Sequence, residues 1–342
     1  MKAFVKNIIN ENKLTYFFTK LAFIYILKYN NSEVILMPIL FFKPIFMKRI
    51  WGDNYFKNQL NYDLDDEKYG EMWSVSAVKN SETIITNSEF AGQKLSDYFL
   101  SHKNQFGDFS EFPLLIKLIH TKDFLSVQVH PDNEYAKRVE NSLGKTECWY
   151  FLDSKPDSFI YFGHHANNKL ELEQAINKGN CEDLLNKFYI KKHDFAYIPS
   201  KTIHALGKDL LLLEIQQSSD ITYRLYDYNR LGLDGKPREL HIKKALDVID
   251  FNQENNVKIK NFGNQPNTNI VDSSFFKVDK LNVNHKLNLK LDNNIFKIIS
   301  VIEGSITINN NTLNLGESCV ITNDIKEVLI EGLGDILVTY AK

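Results

Sequence analysis

Two short strand-like segments place residues that can bind a metal close together in the sequence. In LSVQVH, Gln128 and His130 are two residues apart, and residues i and i+2 of a β-strand point to the same face. Glu147 follows seventeen residues after His130, at the start of the apolar segment ECWYFLD. The sequence between them has a proline break and a short helical pattern, so a strand, a helical excursion and a returning strand would bring the three side chains together. His204, in IPSKTIHAL, is the candidate for a fourth ligand.

These four residue types predict a site for a divalent transition metal that leaves room for water or substrate. Neutral histidine and carboxylate are good ligands, and glutamine oxygen is a weaker ligand that leaves the ion strongly Lewis acidic. The set contains no cysteine, which favours catalysis or ligand exchange over a structural role. His130 alone would be interpreted as a core or turn histidine, but its combination with Glu147 and His204 favours the metal site.

A second pair of charged residues lies in apolar segments further along the chain. Glu214 interrupts LLLLEIQQ, where a carboxylate is costly to bury without a partner, and Arg224 lies within ITYRLYDY. One interpretation is that the two side chains simply pair with each other or with backbone groups. The functional alternative is a general base and an anion-binding guanidinium near the metal.

Strand alternation adds two polar residues to the predicted cleft. Lys145 precedes Glu147 by two residues and Ser126 precedes Gln128 by two, so each would share a face with a predicted ligand. Cys148, next to Glu147, would face the opposite way and is therefore predicted to be a buried packing residue.

The rhythm of the chain is typical of a mainly β protein. From residue 37 onward, short apolar or alternating segments are interrupted by Pro, Gly, Asn and Asp, as in a β-sandwich or barrel. Helical patterns are predicted at residues 92–107, at 168–189 as one or two helices, and at 240–250. The segment 168–189 is polar and is interpreted as a side lobe, and from about residue 272 the chain reads as strands alone.

These patterns predict three regions. Residues 37–255 form a catalytic domain with a helical insert near 166–190, and residues 272–342 form a second, smaller β-sandwich. The Asn-rich segment 251–269 is interpreted as a domain linker or a long crossover. Residues 1–36 are predicted to lie outside the fold, because β-like, turn-punctuated sequence begins only at Met37, in MPILFFKPIFMKRIWG. Their apolar run of fourteen residues contains Lys20 and is too short to span a bilayer. Met37 is the predicted functional start, which N-terminal sequencing of the natively expressed protein would test.

Composition limits the classes of partner. The net charge is −2 with 25% charged residues, so the protein has no global attraction to nucleic acid or to anionic membranes, and any anionic ligand must be held by local basic groups. Three cysteines without paired spacing argue against a disulfide framework and predict a cytoplasmic location.

Several separated motifs resemble one family in the family's own order. QVHPD, GKTE, IPSKTIHAL, EIQQSSDITYRLYDYNR and KPRELH together resemble type I mannose-6-phosphate isomerases in their short bacterial form. LFFKPIFMKRIWG resembles the family's opening segment, and GEMWSVSA and GDFSEFPLLIKLI match its usual pattern. The resemblance covers about Met37 to residue 250, and the tail from 272 matches only as a compatible β-domain. Asp53 and Ser74 depart from the usual pattern, and neither is a predicted ligand.

The resemblance implies a cupin-type jelly-roll barrel that holds one zinc ion per chain, and reversible conversion of mannose 6-phosphate to fructose 6-phosphate through an enediol(ate). It places the family's metal ligands on the four residues proposed from spacing. Arg224 corresponds to the family's active-site arginine and Glu214 to an acidic residue proposed to act there. Lys145 and Ser126 correspond to polar residues of the cleft, and either Glu214 or Lys145 is the expected base.

The expected partner is a small sugar phosphate, with no nucleic acid or membrane, and the protein is expected to be a monomer or a homodimer. Two alternatives come from other classes of cupin. One is a metal-dependent oxidoreductase that uses iron for oxygen chemistry, and the other is a sugar-binding regulatory protein. Iron content with oxygen consumption, or the lack of sugar-phosphate turnover, would distinguish them.

Overall fold

The computed structural model describes residues 39–251, 259–263, 265–292 and 294–342, so the predicted extension 1–36 falls outside the described residues. The strands are β1 Ile39–Lys43, β2 Ile45–Asp53, β3 Tyr69–Val75, β4 Ile84–Ile85, β5 Leu114–Thr121, β6 Val127–Val129, β7 Glu147–Ser154, β8 Phe159–His164, β9 Leu185–Tyr189, β10 Asp194–Ile198, β11 His204–Leu206, β12 Leu210–Gln217, β13 Tyr223–Tyr226, β14 Ile259–Asn261, β15 Thr268–Asp272, β16 Phe276–Lys290, β17 Lys297–Ile308, β18 Asn311–Leu313, β19 Ser318–Ile321 and β20 Glu327–Ala341. The α-helices are α1 Tyr55–Asn58, α2 Leu95–Ser101, α3 Asn133–Glu140, α4 Lys169–Lys178 and α5 Ile242–Val248.

The strands form three antiparallel sheets. The outer sheet has the order β13-β6-β11-β8-β9, and the central sheet has the order β14-β10-β7-β12-β5-β3-β2. The C-terminal sheet has the order β15-β16-β20-β17-β19-β1-β4, with β18 paired to β17. The prediction of a mainly β protein is therefore confirmed.

Hydrophobic clusters on both faces of the central sheet explain why its strands are almost continuously apolar. In β7, Cys148 and Tyr150 belong to the cluster shared with the C-terminal sheet. Trp149 and Phe151 point the other way, into the cluster shared with the outer sheet. The packing role predicted for Cys148 is confirmed. A strand buried on both faces reads as an apolar run, so its few polar residues stand out.

The helices cover the far face of the outer sheet. Leu172 and Ile176 of α4 and Leu246 of α5 pack in one cluster with Val127 and Val129 of β6. The outer sheet therefore has one face toward these helices and one toward the central sheet. Among the residues that the structure describes, no helix is long and apolar enough to cross a bilayer.

The predicted helical segments are shorter than expected. Residues 92–107 contain α2 and a 3₁₀ turn at Lys103–Gln105. The prediction of helix throughout 168–189 is wrong at its end, because α4 stops at Gly179, which has a φ of +75°. A 3₁₀ turn follows, and then β9 pairs with β8 at the edge of the outer sheet. Leu185 and Phe188 are three residues apart and therefore point to opposite faces of this edge strand. Leu185 packs in the cluster that faces the helices, and Phe188 packs against the cluster shared with the central sheet.

The C-terminal sheet also contains the beginning of the described chain. Ile39, Leu40 and Phe41 of β1 pair with Ile321, Val320 and Cys319 of β19. The domain boundaries at 37–255 and 272–342 remain a prediction. Strand β1 belongs to the first of these segments by sequence, but it pairs with β19 of the second.

Candidate active site

Three of the predicted site residues lie side by side across the outer sheet. Gln128 of β6 is paired with His204 of β11 on one side and with Arg224 of β13 on the other. Residues in register on neighbouring strands have Cβ atoms about 4.5–5.5 Å apart. The sheet therefore places an amide, an imidazole and a guanidinium in one row, although they lie 76 and 96 residues apart in the chain.

Each of the two histidines is oriented by a backbone carbonyl. His130 Nδ1 lies 2.8 Å from the carbonyl oxygen of Ile221, and His204 Nδ1 lies 3.0 Å from that of Thr202. A carbonyl only accepts, so each Nδ1 must carry the proton, which leaves the Nε2 lone pair free. Metal-binding histidines usually have such a partner on the nitrogen that does not bind the metal. Both Nε2 atoms can therefore serve as ligands.

Glu147 faces these histidines from the central sheet. Its Oε2 lies 3.4 Å from His130 Nε2, and its Oε1 lies 3.3 Å from His204 Nε2. All three side chains are buried, and their ligand atoms lie within 4.8 Å of one another. Neither carboxylate oxygen accepts a hydrogen bond of good geometry within the described residues. Two unprotonated imidazole nitrogens and a buried carboxylate are a suitable donor set for a divalent metal.

Gln128 lies beside this cluster with its amide nitrogen toward it. Its Nε2 is 3.3 Å from His204 Nε2, and its Oε1 lies 3.4 Å from the Ser126 hydroxyl. A half-turn of the amide would exchange the two atoms and present the oxygen to the cluster, and the two orientations are nearly equivalent in shape. The role of Gln128 as a ligand stays a prediction that this position supports.

Burial sets the protonation of the cluster. Burial and the neighbouring Lys145 lower the pKa of His130 well below its usual value and lower that of His204 to about 4. Burial raises the pKa of Glu147 to about 7, against the lowering effect of Lys145. Both imidazoles are therefore neutral near pH 7, which is the form that binds metals.

The cluster borders a cavity of about 320 Å³ between the central and outer sheets. Its polar wall includes Ser126, Gln128, Lys145, Glu214 and Arg224. The residues predicted for the cleft are thus brought together. Lys145 Nζ lies 2.9 Å from Glu147 Oε2 and 3.0 Å from His130 Nε2, so this ammonium is the positive charge in contact with the cluster.

Glu214 and Arg224 do not pair with each other. Glu214 Oε1 is 3.1 Å from the ammonium of Lys117, and Oε2 accepts a hydrogen bond of 2.9 Å from the Trp149 indole. Lys117 is directly opposite Glu214 in the pairing of β5 and β12. Burial alone would raise the pKa of Glu214, but Lys117 and Lys145 outweigh it and the pKa is lowered. Glu214 is therefore a carboxylate in the cavity wall.

Sequence reasoning missed Lys117 and a second buried pair in the same wall. Arg49 of β2 donates two hydrogen bonds of 3.0 Å to Glu71 of β3, which also accepts from the Trp73 indole. Both Glu71 and Lys117 interrupt apolar strands, GEMWSV and LLIKLI. The same signal that identified Glu214 could have identified them, since buried charges need partners.

Together the sheets and the cluster define a class: a mainly β protein of the cupin type whose cavity carries a histidine and carboxylate site able to bind a metal. Comparison with known proteins agrees. The model of the type I phosphomannose isomerase catalytic domain matches residues 40–176. The model of the mannose-6-phosphate isomerase cupin domain matches residues 267–341.

Relatives of similar length match along most of the chain. Mannose-6-phosphate isomerase ManA of Bacillus subtilis (strain 168) is 38% identical over 311 residues, which are 88% of this chain and 98% of that protein. Mannose-6-phosphate isomerase of Streptococcus mutans is 36% identical over 312 residues, covering 87% and 98%. The chain therefore belongs to the type I mannose-6-phosphate isomerase family and is an enzyme of the isomerase class.

Solved structures share the fold. The crystal structure of the Bacillus subtilis mannose 6-phosphate isomerase matches with a TM-score of 0.77 and 34% identity, over 88% of this chain and 99% of that one. A variant of the Salmonella typhimurium phosphomannose isomerase matches with a TM-score of 0.64 over 89% of this chain and all of that one. At 16% identity the latter supports the fold alone.

Proposed function

We propose that the protein is a zinc-dependent aldose–ketose isomerase that interconverts mannose 6-phosphate and fructose 6-phosphate through an enediol(ate). The observation that carries the proposal is the buried convergence of His130, Glu147 and His204 beside a cavity whose wall includes Gln128, Lys145, Glu214 and Arg224. The activity of the relatives of similar length supports the substrate. One zinc ion per chain would be held by these three residues and Gln128.

The isomerisation moves a proton between C1 and C2 of the sugar, and the negative charge that develops on O1 and O2 must be stabilised. Zinc, when bound, supplies a Lewis acid for that charge. Glu214 is proposed as the base, because its carboxylate lines the cavity and is held by Lys117 and the Trp149 indole. Its lowered pKa keeps it ionised near pH 7, the form that a base requires.

The remaining polar groups are proposed to hold the substrate. Lys145 can donate to the sugar oxygens nearest the metal ligands, because its ammonium contacts Glu147 and His130. Arg224 and Ser126 are joined by a hydrogen bond of 3.3 Å from Nε to the hydroxyl, and both line the cavity. They are proposed to orient the sugar phosphate. Three free, buried cysteines support the cytoplasmic location that we also propose.

The experiment combines metal analysis with a coupled isomerase assay on fructose 6-phosphate. Glu147→Ala and His204→Ala should lose bound zinc and activity together. Glu214→Gln should retain zinc but lose roughly 100-fold or more of kcat, the usual effect of removing a general base. His165→Gln changes an exposed histidine and is the matched control that should retain both.

Two results would overturn the proposal. Full activity of either ligand variant in metal-free buffer would show that the cluster is not the metal site of the reaction. Bound iron with oxygen consumption, and no sugar-phosphate turnover, would instead favour a cupin oxidoreductase.

A further inference from the structure

Three guanidinium groups gather around one buried carboxylate beside the cavity. Asp227, which is 5% exposed, accepts from Nε and Nη2 of Arg238, with 2.7 Å from Nε to Oδ2. Its Oδ1 also accepts from Nε and Nη2 of Arg230, at 3.0 and 2.9 Å. Arg224 is the third guanidinium, near enough for its charge to interact with Asp227 and Arg238 but without a hydrogen bond to the carboxylate. One buried carboxylate therefore serves two arginines.

Arg224 has only neutral oxygen partners within the described residues. Its Nε donates to the Ser126 hydroxyl at 3.3 Å, and its Nη1 donates to the carbonyl oxygen of Glu239 at 2.8 Å. Burial and the neighbouring Arg238 lower the pKa of the Arg224 guanidinium. Asp227 and Glu239 raise this pKa, but they do not outweigh burial and the neighbouring arginines. A further anion beside Arg224 would therefore be favourable.

A closed loop delivers Arg238 to this place. Leu231 and Pro237 form a bridge across the loop, and Gly232 N donates to the carbonyl oxygen of Lys236 at 2.7 Å. After the loop, His241 N donates to the carbonyl oxygen of Arg224 at 2.7 Å, which aligns residues 238–241 with β13. The backbone around Arg238 is thus held by the loop, and its guanidinium is held by Asp227.

Only two of the three arginines border the cavity. Arg224 and Arg238 line it, whereas Arg230 lies outside the lining and is 3.6 Å from Asp123. Asp227 engages Nε and Nη2 of Arg238, and within the described residues Nη1 makes no hydrogen bond. The side chain of Arg238 is 22% exposed, so this edge of the guanidinium is available to a ligand.

We propose that Arg238, held in place by Asp227, is a contact for the substrate phosphate and binds that dianion together with Arg224. The inference rests on the proposed function, since the phosphate is that of the sugar phosphate. Guanidinium–phosphate hydrogen bonds are charge-assisted and directional, and two guanidiniums match the charge of one dianion. The reacting end of the sugar would then lie at the side chains of His130, Glu147 and His204. Its phosphate would lie at Arg224 and Arg238, with Gln128 between the two ends.

Arg238→Met, with Arg238→Lys as a milder variant, tests the inference on two substrates. For fructose 6-phosphate, kcat/KM of Arg238→Met should fall roughly 10- to 100-fold, mainly through KM, as expected for a lost charged hydrogen bond. For unphosphorylated fructose at high concentration, kcat/KM should change little. The inhibition constant of inorganic phosphate should rise by a similar factor. Arg238→Lys should lie between the natural chain and Arg238→Met.

Lys236→Met removes one positive charge from the exposed part of the same loop and is the matched control, expected to behave as the natural chain does. An equal loss on both sugars, or no loss on fructose 6-phosphate, would overturn the inference. Calorimetric titration of zinc-loaded protein with inorganic phosphate separates the two proposals. If the natural chain isomerises neither sugar, the proposed function fails, while weaker phosphate binding by Arg238→Met would still support an anion site.

Discussion

Each buried carboxylate in the cavity wall has a cation in contact with it. The contacts of Glu71 with Arg49 and of Glu214 with Lys117 join paired strands, and that of Glu147 with Lys145 joins residues two apart in the chain. Their lengths are 2.9 to 3.1 Å. Such pairs are costly to break, because removing one partner leaves an uncompensated buried charge. The wall therefore holds its charges in fixed positions, as electrostatic stabilisation of a reaction requires.

Glu71 gives a test of this arrangement by pH. Burial alone would raise its pKa, but Arg49, Lys117 and the Trp73 indole lower it from 4.5 to about 2. Between pH 4.5 and 2 the unfolded chain therefore takes up a proton that the folded chain does not. The stabilisation from Glu71 is present above pH 4.5 and is lost as the pH falls to about 2, in total about 3 kcal/mol.

Urea unfolding at a series of pH values measures this effect. The difference in free energy of unfolding between the natural chain and Glu71→Gln should be largest near pH 7 and should shrink as the pH falls toward 2. Glu67→Gln changes an exposed glutamate and is the control. A difference for Glu71→Gln that stays constant with pH would contradict the prediction.

Residue spacing was sufficient to predict the chemistry of the site but not all of its members. The two-residue spacing of Gln128 and His130 in a strand-like segment identified them as candidate ligands. The cost of burying a charge in an apolar segment identified Glu214 as a candidate for the cleft. The partner of Glu214 could not be predicted, because Lys117 faces it through the pairing of two strands almost a hundred residues apart. Strand pairing over such distances depends on the whole fold, which local sequence does not specify.

At the scale of elements, the excursion from β6 to β7 joins two of the three residues of the candidate metal site, His130 at its start and Glu147 at its end. Helix α3 is capped at its N-terminus by Asp132, whose side chain accepts from Tyr135 N, and at its C-terminus by Asn141, which has a φ of +52°. The chain then returns so closely that a Cβ on Gly144 would lie 2.5 Å from the carbonyl carbon of Asp132. Lys145 N donates to the carbonyl oxygen of Pro131 at 3.0 Å, which closes the excursion.

Gly144→Ala should therefore disturb the cluster from outside it. The methyl group would contact backbone that cannot move freely, at a cost of about 1–3 kcal/mol, and would shift the strand that carries Glu147. We expect lower thermal stability and weaker zinc binding, measured by competition with a chelator. Asn141→Gly is the matched control, because glycine adopts positive φ readily. Unchanged zinc affinity in Gly144→Ala would contradict this account.

The excursion also shows where element prediction succeeds. The proline break, the helical pattern and the returning strand were all predictable, since each depends on local residues. The strand Leu185–Tyr189 was not predictable, because it follows a helix-forming polar segment and exists only through its pairing with β8. Likewise, the sequence of β1 shows that it is a strand but not that its partner is β19, 280 residues away.

At the scale of the molecule, the metal cluster joins two sheets that otherwise meet through side-chain packing. Glu147 belongs to the central sheet, His204 belongs to the outer sheet, and His130 directly follows β6 of the outer sheet. A metal held by all three would bind the folded chain and not the separated sheets. Binding of this kind stabilises the folded state by an amount that grows with the ratio of ligand concentration to Kd.

Zinc should therefore raise the Tm of the natural chain, and a chelator should lower it. At a free zinc concentration of 100 times Kd, the stabilisation is about 2.7 kcal/mol. Thermal unfolding followed by circular dichroism, with zinc and with chelator, measures the difference without reference to catalysis. His204→Ala should show little difference between the two conditions, whereas His165→Gln should respond as the natural chain does. If His204→Ala loses as much Tm to the chelator as the natural chain, the metal that stabilises the fold is bound elsewhere, because a site that spans the two sheets cannot retain its affinity without the ligand from the outer sheet.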